Sequence, residues 1–381
     1  MKPLEGIRIV EAGQMISVPF ATMLLAEQGA EVIKVELPDG VGDRMRFLGT
    51  RRGKMGALFH GANRGKKSVV LDTKSADGLV AMKKLIASAD VFVQNFRPGA
   101  AERMGIGESD IRAEHPDLVY VSVSGFGSSG PSAGQKVYDY VIQAMTGMAA
   151  LQSDETNEPT LIRQFVVDKV TALAVAQAIT AAVLGRERGM GGQHLELSML
   201  DIGLWFFWPD GMMDRALLGD GVTDAPHFSE LYEVRKTTDG HIAIVASGMR
   251  TWPHLCAAFG PQWLDDPRFA SFEDREANAE ALAAEFDRAI APLTTAEALE
   301  RMRANDVPGA AIAPLDAVHL DPQVIHNESL VVHDNGPAGT IMEVRPAASF
   351  GGAPREVPGP APAYGQHTDE VLAALGGRTV P

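Results

Sequence analysis

The chain has 381 residues, of which 45% are hydrophobic, and 34 lysines and arginines against 49 aspartates and glutamates give it a formal net charge of −15. Because a single core stops growing near roughly 250 to 300 residues, we expect two domains. The negative charge argues against general affinity for nucleic acid or an anionic membrane surface, so a polyanionic ligand would need a local basic pocket.

Apolar runs of strand type alternate with stretches of helical period over the first part of the chain. This alternation predicts a parallel sheet covered by helices on both faces. The predicted strands are residues 7–10, 30–35, 67–71, 91–94, 118–124 and 194–200, and the clearest helices are residues 20–27 and 75–88.

A helix of small side chains is predicted at residues 170–184, which are nearly all Ala, Thr, Val, Leu or Ile. Such a narrow helix is typical of a place where another backbone passes close by. Asp168 precedes it, and an aspartate there has two interpretations. It is either an N-cap that accepts hydrogen bonds from free backbone N–H groups or a carboxylate set up for chemistry, and the residues alone leave both open.

The pattern of the sequence changes after residue 200. Residues 201–213 contain four consecutive bulky aromatics and predict a buried packing helix or an interface. A hairpin around Asp239-Gly240 and helices at 251–259, 275–290 and 295–304 predict a smaller α+β domain. The tail at 336–362 is rich in Gly and Pro and is expected to lie extended before a helix at 368–375. The predicted division is the first part of a large domain at residues 1–215, a small domain at 225–315, and an extended linker with a C-terminal return to the large domain at 320–381.

Cysteine and histidine usage excludes several kinds of site. Cys256 is the single cysteine, so the chain cannot form an internal disulfide or a cysteine-based zinc cluster. Its apolar neighbours favour a buried structural thiol over a nucleophile. The histidines have no metal-ligand spacing, so no metal site is expected. The N-terminus lacks a signal-peptide run and no segment offers the ~20 consecutive apolar residues that span a bilayer, so we expect a cytoplasmic protein.

The sequence GFGSSG, residues 125–130, matches the glycine spacing of dinucleotide-binding loops directly after a predicted strand. Such a loop must open a helix whose N-terminus holds the pyrophosphate. Pro131, Ser132, Ala133 and Gly134 follow instead and break the helix start. An NAD-dependent oxidoreductase is therefore the weakest of the functions considered.

Cations and an amide recur near the ends of successive predicted strands. In an open α/β sheet these ends line one crevice, where ligands bind. In an acidic protein such a concentration suits a phosphorylated ligand, although solvated surface cations would give the same pattern. The set comprises Lys66, Lys67, Asn95, Arg97, Arg103 and Lys136.

Several segments together resemble one family. They run in the family's order from residue 4 to residue 372 and include LEGIRIVEAG, PFATMLLAEQGAEVIKVE, NRGKKSVVLD, ADVFVQNFRPGAAERMGIG, PDLVYVSVSGFGSSGP, RERGMGGQHLELSMLD and PAYGQHTDEVL. The chain is similar to the class III CoA-transferases, the superfamily of formyl-CoA transferase, carnitine CoA-transferase and α-methylacyl-CoA racemase. The resemblance implies an α/β fold: a Rossmann-like open parallel sheet in a large domain built from both chain ends, a smaller α+β domain, and an interlocked homodimer.

The resemblance also implies a reaction. In this family an aspartate attacks an acyl-CoA thioester to give a mixed anhydride, which the CoA thiolate converts to an aspartyl-CoA thioester before a second carboxylic acid takes the CoA. Asp168 is the matching residue, with Tyr138 lining the thioester region and Asp139 as its acidic neighbour. No tightly bound cofactor is implied. The residues around Ile16 and Ser17 would border the active site opposite Asp168. The residues that would border or bind CoA are Ile16, Leu71, Asn95, Phe96, Arg97, Arg103 and Lys136.

The racemase branch is the serious alternative. Those enzymes move an α-proton with a His in a Gly-His-Asp triplet, whereas this chain has Val137-Tyr138-Asp139, which favours transferase over racemase. The family's usual Ala-Gly before Pro19 is Ser17-Val18 here, and Ile16 replaces the Gln of oxalate-handling members. The glycine run of the formyl-CoA transferase loop is absent, with Gly219 to Gly221 and Ser247-Gly248 as possible substitutes. A more apolar acyl group than oxalate is favoured.

Overall fold

A computed structural model describes residues 2–153, 158–223, 227, 232–245 and 251–376. It divides into two compact units, Met1–Gly211 with Ile325–Pro381, and Met212–Val324. The larger unit is thus assembled from both ends of the chain. The smaller unit extends beyond the predicted limits of 225 and 315, and the C-terminal return begins at Ile325 where 320 was predicted.

The described strands and helices alternate as expected. The strands are β1 (Arg8–Ala12), β2 (Glu31–Glu36), β3 (Arg51–Arg52), β4 (Met55–Gly56), β5 (Lys67–Val70), β6 (Val91–Gln94), β7 (Val119–Ser124), β8 (His194–Ser198), β9 (Tyr232–Lys236), β10 (His241–Val245), β11 (Gly309–Ala311), β12 (Leu330–Asp334) and β13 (Thr340–Val344). The helices are α1 (Ser17–Glu27), α2 (Ala57–Asn63), α3 (Ala76–Ala87), α4 (Ala100–Arg103), α5 (Glu108–Glu114), α6 (Asp139–Thr146), α7 (Met148–Leu151), α8 (Val166–Gly185), α9 (Met199–Gly211), α10 (Trp252–Phe259), α11 (Phe272–Ala277), α12 (Ala279–Ile290), α13 (Thr295–Ala304), α14 (Pro322–His326) and α15 (Thr368–Gly376).

The large unit is built on a six-stranded sheet in the order β5-β2-β1-β6-β7-β8. Every neighbouring pair is parallel. Because the strands are buried on both faces, they read as nearly continuous apolar runs, as in VFVQ of β6. The order in which the strands follow one another reverses between β1 and β6, and in sheets of this type ligands bind at that reversal.

Helices α1 and α8 cover one face of the sheet together. Val18, Ala21 and Leu25 of α1 share an apolar cluster with Ala172 and other residues of α8 and with the inward side chains of β1, β2, β6 and β7. The small side chains that characterise α8 let α1 pack close beside it. The narrow helix predicted from the sequence is therefore explained within a single chain.

By length and composition alone, residues Val166–Met190 could cross a membrane, contrary to the expectation that no segment qualifies. Half of the most apolar window, 50%, is buried inside the unit. A core helix that packs against a sheet passes the same test of length and apolar composition.

The aromatic stretch on α9 is less buried than expected. Phe207 is 7% exposed, but Trp205 is 69% and Trp208 is 48% exposed. Of the four aromatic side chains, only Phe207 is therefore buried as a packing helix requires. The remaining aromatics form an apolar surface on the large unit.

The C-terminal tail is more structured than predicted. Strands β12 and β13 pair antiparallel, Leu330 with Val344 through Asp334 with Thr340, so part of the segment expected to be extended forms a hairpin. Helix α15 begins at Thr368, as predicted, and Val371 packs into the apolar cluster on the second face of the sheet.

The small unit contains a three-stranded antiparallel sheet in the order β11-β10-β9. The hairpin predicted around Asp239-Gly240 is confirmed by the register of β9 and β10. Cys256 lies in the apolar cluster of this unit, and burial raises the pKa of its thiol to about 11, in agreement with a structural role. The helix predicted at 275–290 is two helices, α11 and α12, separated at Asn278.

Candidate active site

The loops that follow β1 and β6 meet at the point where the strand order reverses. Gly13 follows β1 at a place where the chain has no room for a side chain, because a Cβ there would lie 2.4 Å from Cγ1 of Val18. Asn95 directly follows β6. Its side-chain oxygen accepts a hydrogen bond from Gln14 N at 3.0 Å, and its Nδ2 donates to Gln14 O at 2.9 Å. This reciprocal pair fixes the β1–α1 loop.

Buried charged side chains also hold the β1–α1 loop in place. Lys34, which is 0% exposed, donates to Gly13 O at 2.8 Å and pairs with Glu11 and Asp43 at 2.7 Å and 2.9 Å. Asp43 accepts a hydrogen bond from Met15 N at 3.3 Å. Met15 has a φ of 65°, a left-handed conformation that is uncommon for a residue other than glycine. Contacts from two directions thus maintain a strained loop beside the site.

Two lysines of the proposed ligand-binding set belong to the scaffold. Lys66 is buried and donates to Glu11 at 2.7 Å and to Pro19 O at 2.7 Å. Lys67 pairs with Glu31 at 3.1 Å and Glu370 at 2.8 Å. Their place in a phosphate-binding set was therefore wrong, because their charges are already neutralised by carboxylates.

A cavity of about 830 Å³ opens above these loops. It brings together most of the predicted site residues with a set of residues that the sequence did not single out. The predicted residues on its wall are Asn95, Phe96, Arg97, Lys136, Tyr138, Asp139 and Asp168. Ser17, which was expected at the border of the site, also lines the cavity. The further ones include Gln14, Met15, Gln143, Leu161, Arg163, Phe165 and Met199.

Asp168 lies in the first turn of α8, whose N-cap is Phe165. The interpretation of Asp168 as the N-cap was therefore wrong. Its side chain is 9% exposed, and its Oδ1 accepts a short hydrogen bond from the Ser17 hydroxyl. Ser17 is the first residue of α1, so two helix N-termini converge on one carboxylate, and both favour negative charge.

Burial raises the pKa of Asp168 from 3.8 to about 6, the negative charge of Asp139 adds to the rise, and hydrogen bonds from the Ser17 hydroxyl and backbone oppose it. The carboxylate is consequently ionised at neutral pH but poorly solvated. A desolvated anion at the wall of a cavity is a better nucleophile than one in water, and a shifted pKa of this kind is characteristic of functional sites.

Asp139 acts on Asp168 through the backbone. It begins α6 and is 3% exposed, and its Oδ2 accepts a hydrogen bond from Asp168 N at 2.8 Å. Gln143, one turn further along α6, donates to Asp139 Oδ1 at 2.5 Å. The Gln143 side chain also accepts from Ile162 N at 2.9 Å and donates to the carbonyls of Ile162 and Gln164 at 3.2 Å. One buried amide therefore connects the turn that bears Asp168 to the segment before α8.

The predicted CoA contacts fall into two groups. Asn95, Phe96, Arg97 and Lys136 line the cavity. Ile16 and Leu71 are 4% exposed and lie in separate apolar clusters, and neither lines a described cavity. Arg103 is exposed at the end of α4, where its guanidinium lies beside Gly99. Contact of these residues with CoA stays a prediction.

The alternatives lack what they need at this site. No helix opens after GFGSSG, since the next described helix begins at Asp139. Instead, a Cβ on Gly125 would lie 2.4 Å from Val137, so this glycine permits close packing of its own loop. No histidine is among the described residues that line the cavity around Asp168. Within the described chain, no group of three His, Cys, Asp or Glu residues is placed to hold a metal.

Comparison with known proteins agrees with this geometry. The model of CoA-transferase family III matches residues 4–368. The chain belongs to CoA-transferase family III. This family III enzyme is 30% identical to the succinate–glutarate CoA-transferase of Agrobacterium fabrum, covering 98% of the chain and 96% of the relative. It is 32% identical to the succinyl-CoA:glutarate CoA-transferase of Mus musculus, covering 98% and 86%.

A solved structure shows the same architecture. The crystal structure of Rv3272 from Mycobacterium tuberculosis superposes with a TM-score of 0.84 at 30% identity, covering 97% of this chain and 98% of the other. Rv3272 is described as a probable fatty acyl-CoA transferase. The α/β fold with a six-stranded parallel sheet is therefore that of family III CoA-transferases.

Sequence reasoning missed the hydrogen bond of Ser17 and the place of Gln143 in this family III site. The resemblance put Ser17 at the border of the site, but it did not show that its hydroxyl donates to Asp168. Gln143 lies within the YDYVIQAMTG segment, and its place at i+4 from Asp139 on a helix was the available signal. Arg163 carried no pattern at all, because it lies in a loop whose course depends on Gln143.

Proposed function

We propose that this family III enzyme moves CoA from an acyl-CoA to a carboxylic acid through covalent intermediates on Asp168. The observation that carries the proposal is the Asp168 carboxylate itself, buried at the wall of a cavity that also exposes Arg97 and Lys136. The pKa of about 6 keeps it ionised at neutral pH, as a nucleophile must be. Neither Arg97 nor Lys136 forms an ion pair within the described chain, so both charges are available to CoA phosphates.

The reaction proceeds in two halves that mirror each other. In the first, an Asp168 oxygen attacks the thioester carbon, the C–S bond breaks, and CoA leaves as the thiolate from a mixed anhydride. The thiolate then attacks Cγ of Asp168, the acyl group departs as a carboxylate with that oxygen, and an aspartyl-CoA thioester remains. In the second half an incoming carboxylate reverses these steps and leaves as the new acyl-CoA. Dividing the exchange in this way lowers each barrier.

Arg163 supports a dicarboxylic acid as one of the two acids. It lines the same cavity as Asp168 and forms no ion pair within the described chain. Two relatives of high coverage are named for succinate and glutarate. One carboxylate of such an acid would reach Asp168 while Arg163 binds the other in a charge-assisted, bidentate pair.

This substrate class has a matched test. Glutarate and pentanoate have the same number of carbons and differ in the second carboxylate. Arg163→Ala should raise the KM for glutarate at least tenfold and leave the KM for pentanoate within twofold. Equal changes for the two acids would refute a specific role for Arg163. Preference of the unaltered enzyme for pentanoate would support the more apolar acyl group favoured from the sequence.

Oxygen labelling tests the covalent mechanism. When the acceptor acid carries ¹⁸O in both carboxylate oxygens, one label must remain in Asp168 after the second anhydride is opened. Mass spectrometry of the peptide that contains Asp168 should show a gain of about 2 Da, and Asp168→Ala should abolish exchange. Exchange without label in Asp168 would contradict the anhydride. Deuterium entering a 2-methylacyl-CoA without any acceptor acid would favour the racemase alternative.

We also propose that two copies form the interlocked homodimer implied by the family resemblance. The exposed Trp205 and Trp208 on α9 support an apolar surface that another chain covers. Light scattering should give twice the monomer mass, and Trp205→Glu should reduce it. A monomer that retains activity would contradict this. Location in the cytoplasm remains a prediction, which fractionation of cells would test.

A further inference from the structure

The Ser17 hydroxyl has one strong hydrogen-bond acceptor in this structure, and it is the nucleophile. Ser17 is 4% exposed and donates to Asp168 Oδ1. Its only other described side-chain contact is with the Met199 sulfur at 4.0 Å, a weak acceptor. Although Ser17 begins α1, no side chain caps that helix, and its N-cap is Ile16. The hydroxyl is therefore committed to one carboxylate oxygen.

We propose that Ser17 is a catalytic residue that donates a hydrogen bond to Asp168 Oδ1 whenever negative charge builds up on that oxygen. The inference rests on the proposed function and adds a residue to it. Ser17 stands where the family resemblance places an alanine, so the role belongs to this chain's own side chain.

The chemistry distinguishes the two carboxylate oxygens. Because Ser17 occupies Oδ1, Oδ2 is the oxygen that attacks the thioester carbon and becomes the bridge of the anhydride. When the CoA thiolate attacks Cγ, the C–S bond forms and the carbonyl electron pair moves onto Oδ1. Collapse of this adduct restores the Cγ–Oδ1 double bond and breaks the bond to Oδ2, which leaves with the acyl group. The Ser17 proton stays on Ser17 throughout.

The surroundings make this hydrogen bond effective. Both partners are buried, so the developing oxyanion has few competing water molecules, and electrostatic interactions are stronger than in solvent. The hydroxyl is already oriented before the reaction, and such preorganised donors cost no reorganisation in the transition state. Removing one oxyanion donor from an enzyme typically slows the chemical step by about 10²–10³-fold. The Ser17 backbone, which also lowers the pKa of Asp168, remains after the side chain is shortened, so we expect a loss near the lower limit.

Ser17→Ala tests the role without adding bulk. Rapid quenching and mass spectrometry would follow formation of aspartyl-CoA after mixing with acyl-CoA alone. We expect this step to slow by roughly 10²-fold, with the KM for acyl-CoA within twofold. The acid limb of the pH–rate profile should move to higher pH, because a hydrogen bond that favours the ionised form is lost. The charged groups that line the cavity with Asp168 remain in place: Arg97, Lys136, Asp139 and Arg163.

Ser68→Ala is the matched control. Its hydroxyl is also buried and donates to a carboxylate, Glu36 Oε1, at 2.6 Å, but Ser68 does not line the cavity. It should retain the rate of aspartyl-CoA formation and the acid limb of the parent enzyme. A folded Ser17→Ala enzyme with the parent's rate and pH profile would overturn the role of Ser17 alone. Absence of CoA exchange in the unaltered enzyme would overturn the proposed function and this role together.

Discussion

Replacing Asp168 by asparagine should make the protein more stable, by an amount that depends on pH. The folded state raises the pKa of Asp168 from 3.8 to about 6. Between these values the folded protein binds a proton that the unfolded chain has released, so its stability falls as pH rises through that window and is constant above it. The asparagine side chain cannot titrate and avoids this loss.

The magnitude follows from the linkage relation. With the two pKa values above, the ionisation of Asp168 should cost about 2 kcal/mol of unfolding free energy at pH 5 and about 3 kcal/mol at pH 7.5. The advantage of Asp168→Asn over the parent should therefore grow by about 1 kcal/mol between these pH values. Any constant effect of the amide cancels in this difference.

Urea denaturation of both proteins at pH 5, 6 and 7.5 would measure the change. Leu173→Ala is a suitable control, because Leu173 lies on the same helix, is 56% exposed and has no titratable group. The difference in unfolding free energy between Leu173→Ala and the parent should be the same at each pH. If the advantage of Asp168→Asn is also constant, or shrinks with rising pH, burial does not raise the pKa of Asp168 and the account of its reactivity fails.

Further predictions concern activity and the scaffold of the site. Because the pKa of Asp168 is raised to about 6, kcat/KM in a pH–rate profile should fall about tenfold per pH unit well below that value. Asn95→Ala removes both bonds to Gln14, so the KM for acyl-CoA should rise and hydrogen exchange of residues 13–16 should accelerate. Gln143→Leu leaves buried groups of Asp139 and the 162–164 segment unpaired, and urea denaturation should show a loss of roughly 1–3 kcal/mol. Glu11→Gln removes the charge between two buried lysines and should cost about 3–5 kcal/mol in the same assay.

The elements that the sequence predicted best are those with strong periodicity. Strand β6 at residues 91–94 and helix α13 at residues 295–304 were predicted with the limits that the structure shows. β6 is a short apolar run, and Thr294 caps the start of α13. Helix α12 was joined to α11, since both have helical composition and only the conformation of Asn278 separates them. The β12–β13 hairpin was missed because burial in β13 does not follow side-chain polarity: Glu343 is buried, whereas Met342 and Val344 are exposed.

The site residues likewise differ in how well the sequence predicts them. Asp168, Asp139 and the residues after β6 could be found from local motifs and the family resemblance. The sequence could not show that Lys66 and Lys67 lie outside the ligand-binding set. Their carboxylate partners Glu11, Glu31 and Glu370 are distant from them in sequence. Ser17 and Asp168 are likewise separated by 151 positions, and only the packing of α1 against α8 reveals their hydrogen bond.

The hydrogen bonds of Gln143 hold the segment before α8 in place, so the side chains of that segment need not do so. In this segment the Gln143 amide contacts only main-chain atoms, those of Ile162 and Gln164, so these hydrogen bonds do not depend on which side chains the segment carries. Arg163 can therefore be exchanged for a residue of different size or charge while the turn that bears Asp168 stays in register. On the role proposed for Arg163, substitutions in this segment should redirect the enzyme toward another acid, by evolution or by directed mutagenesis, without rebuilding its chemistry.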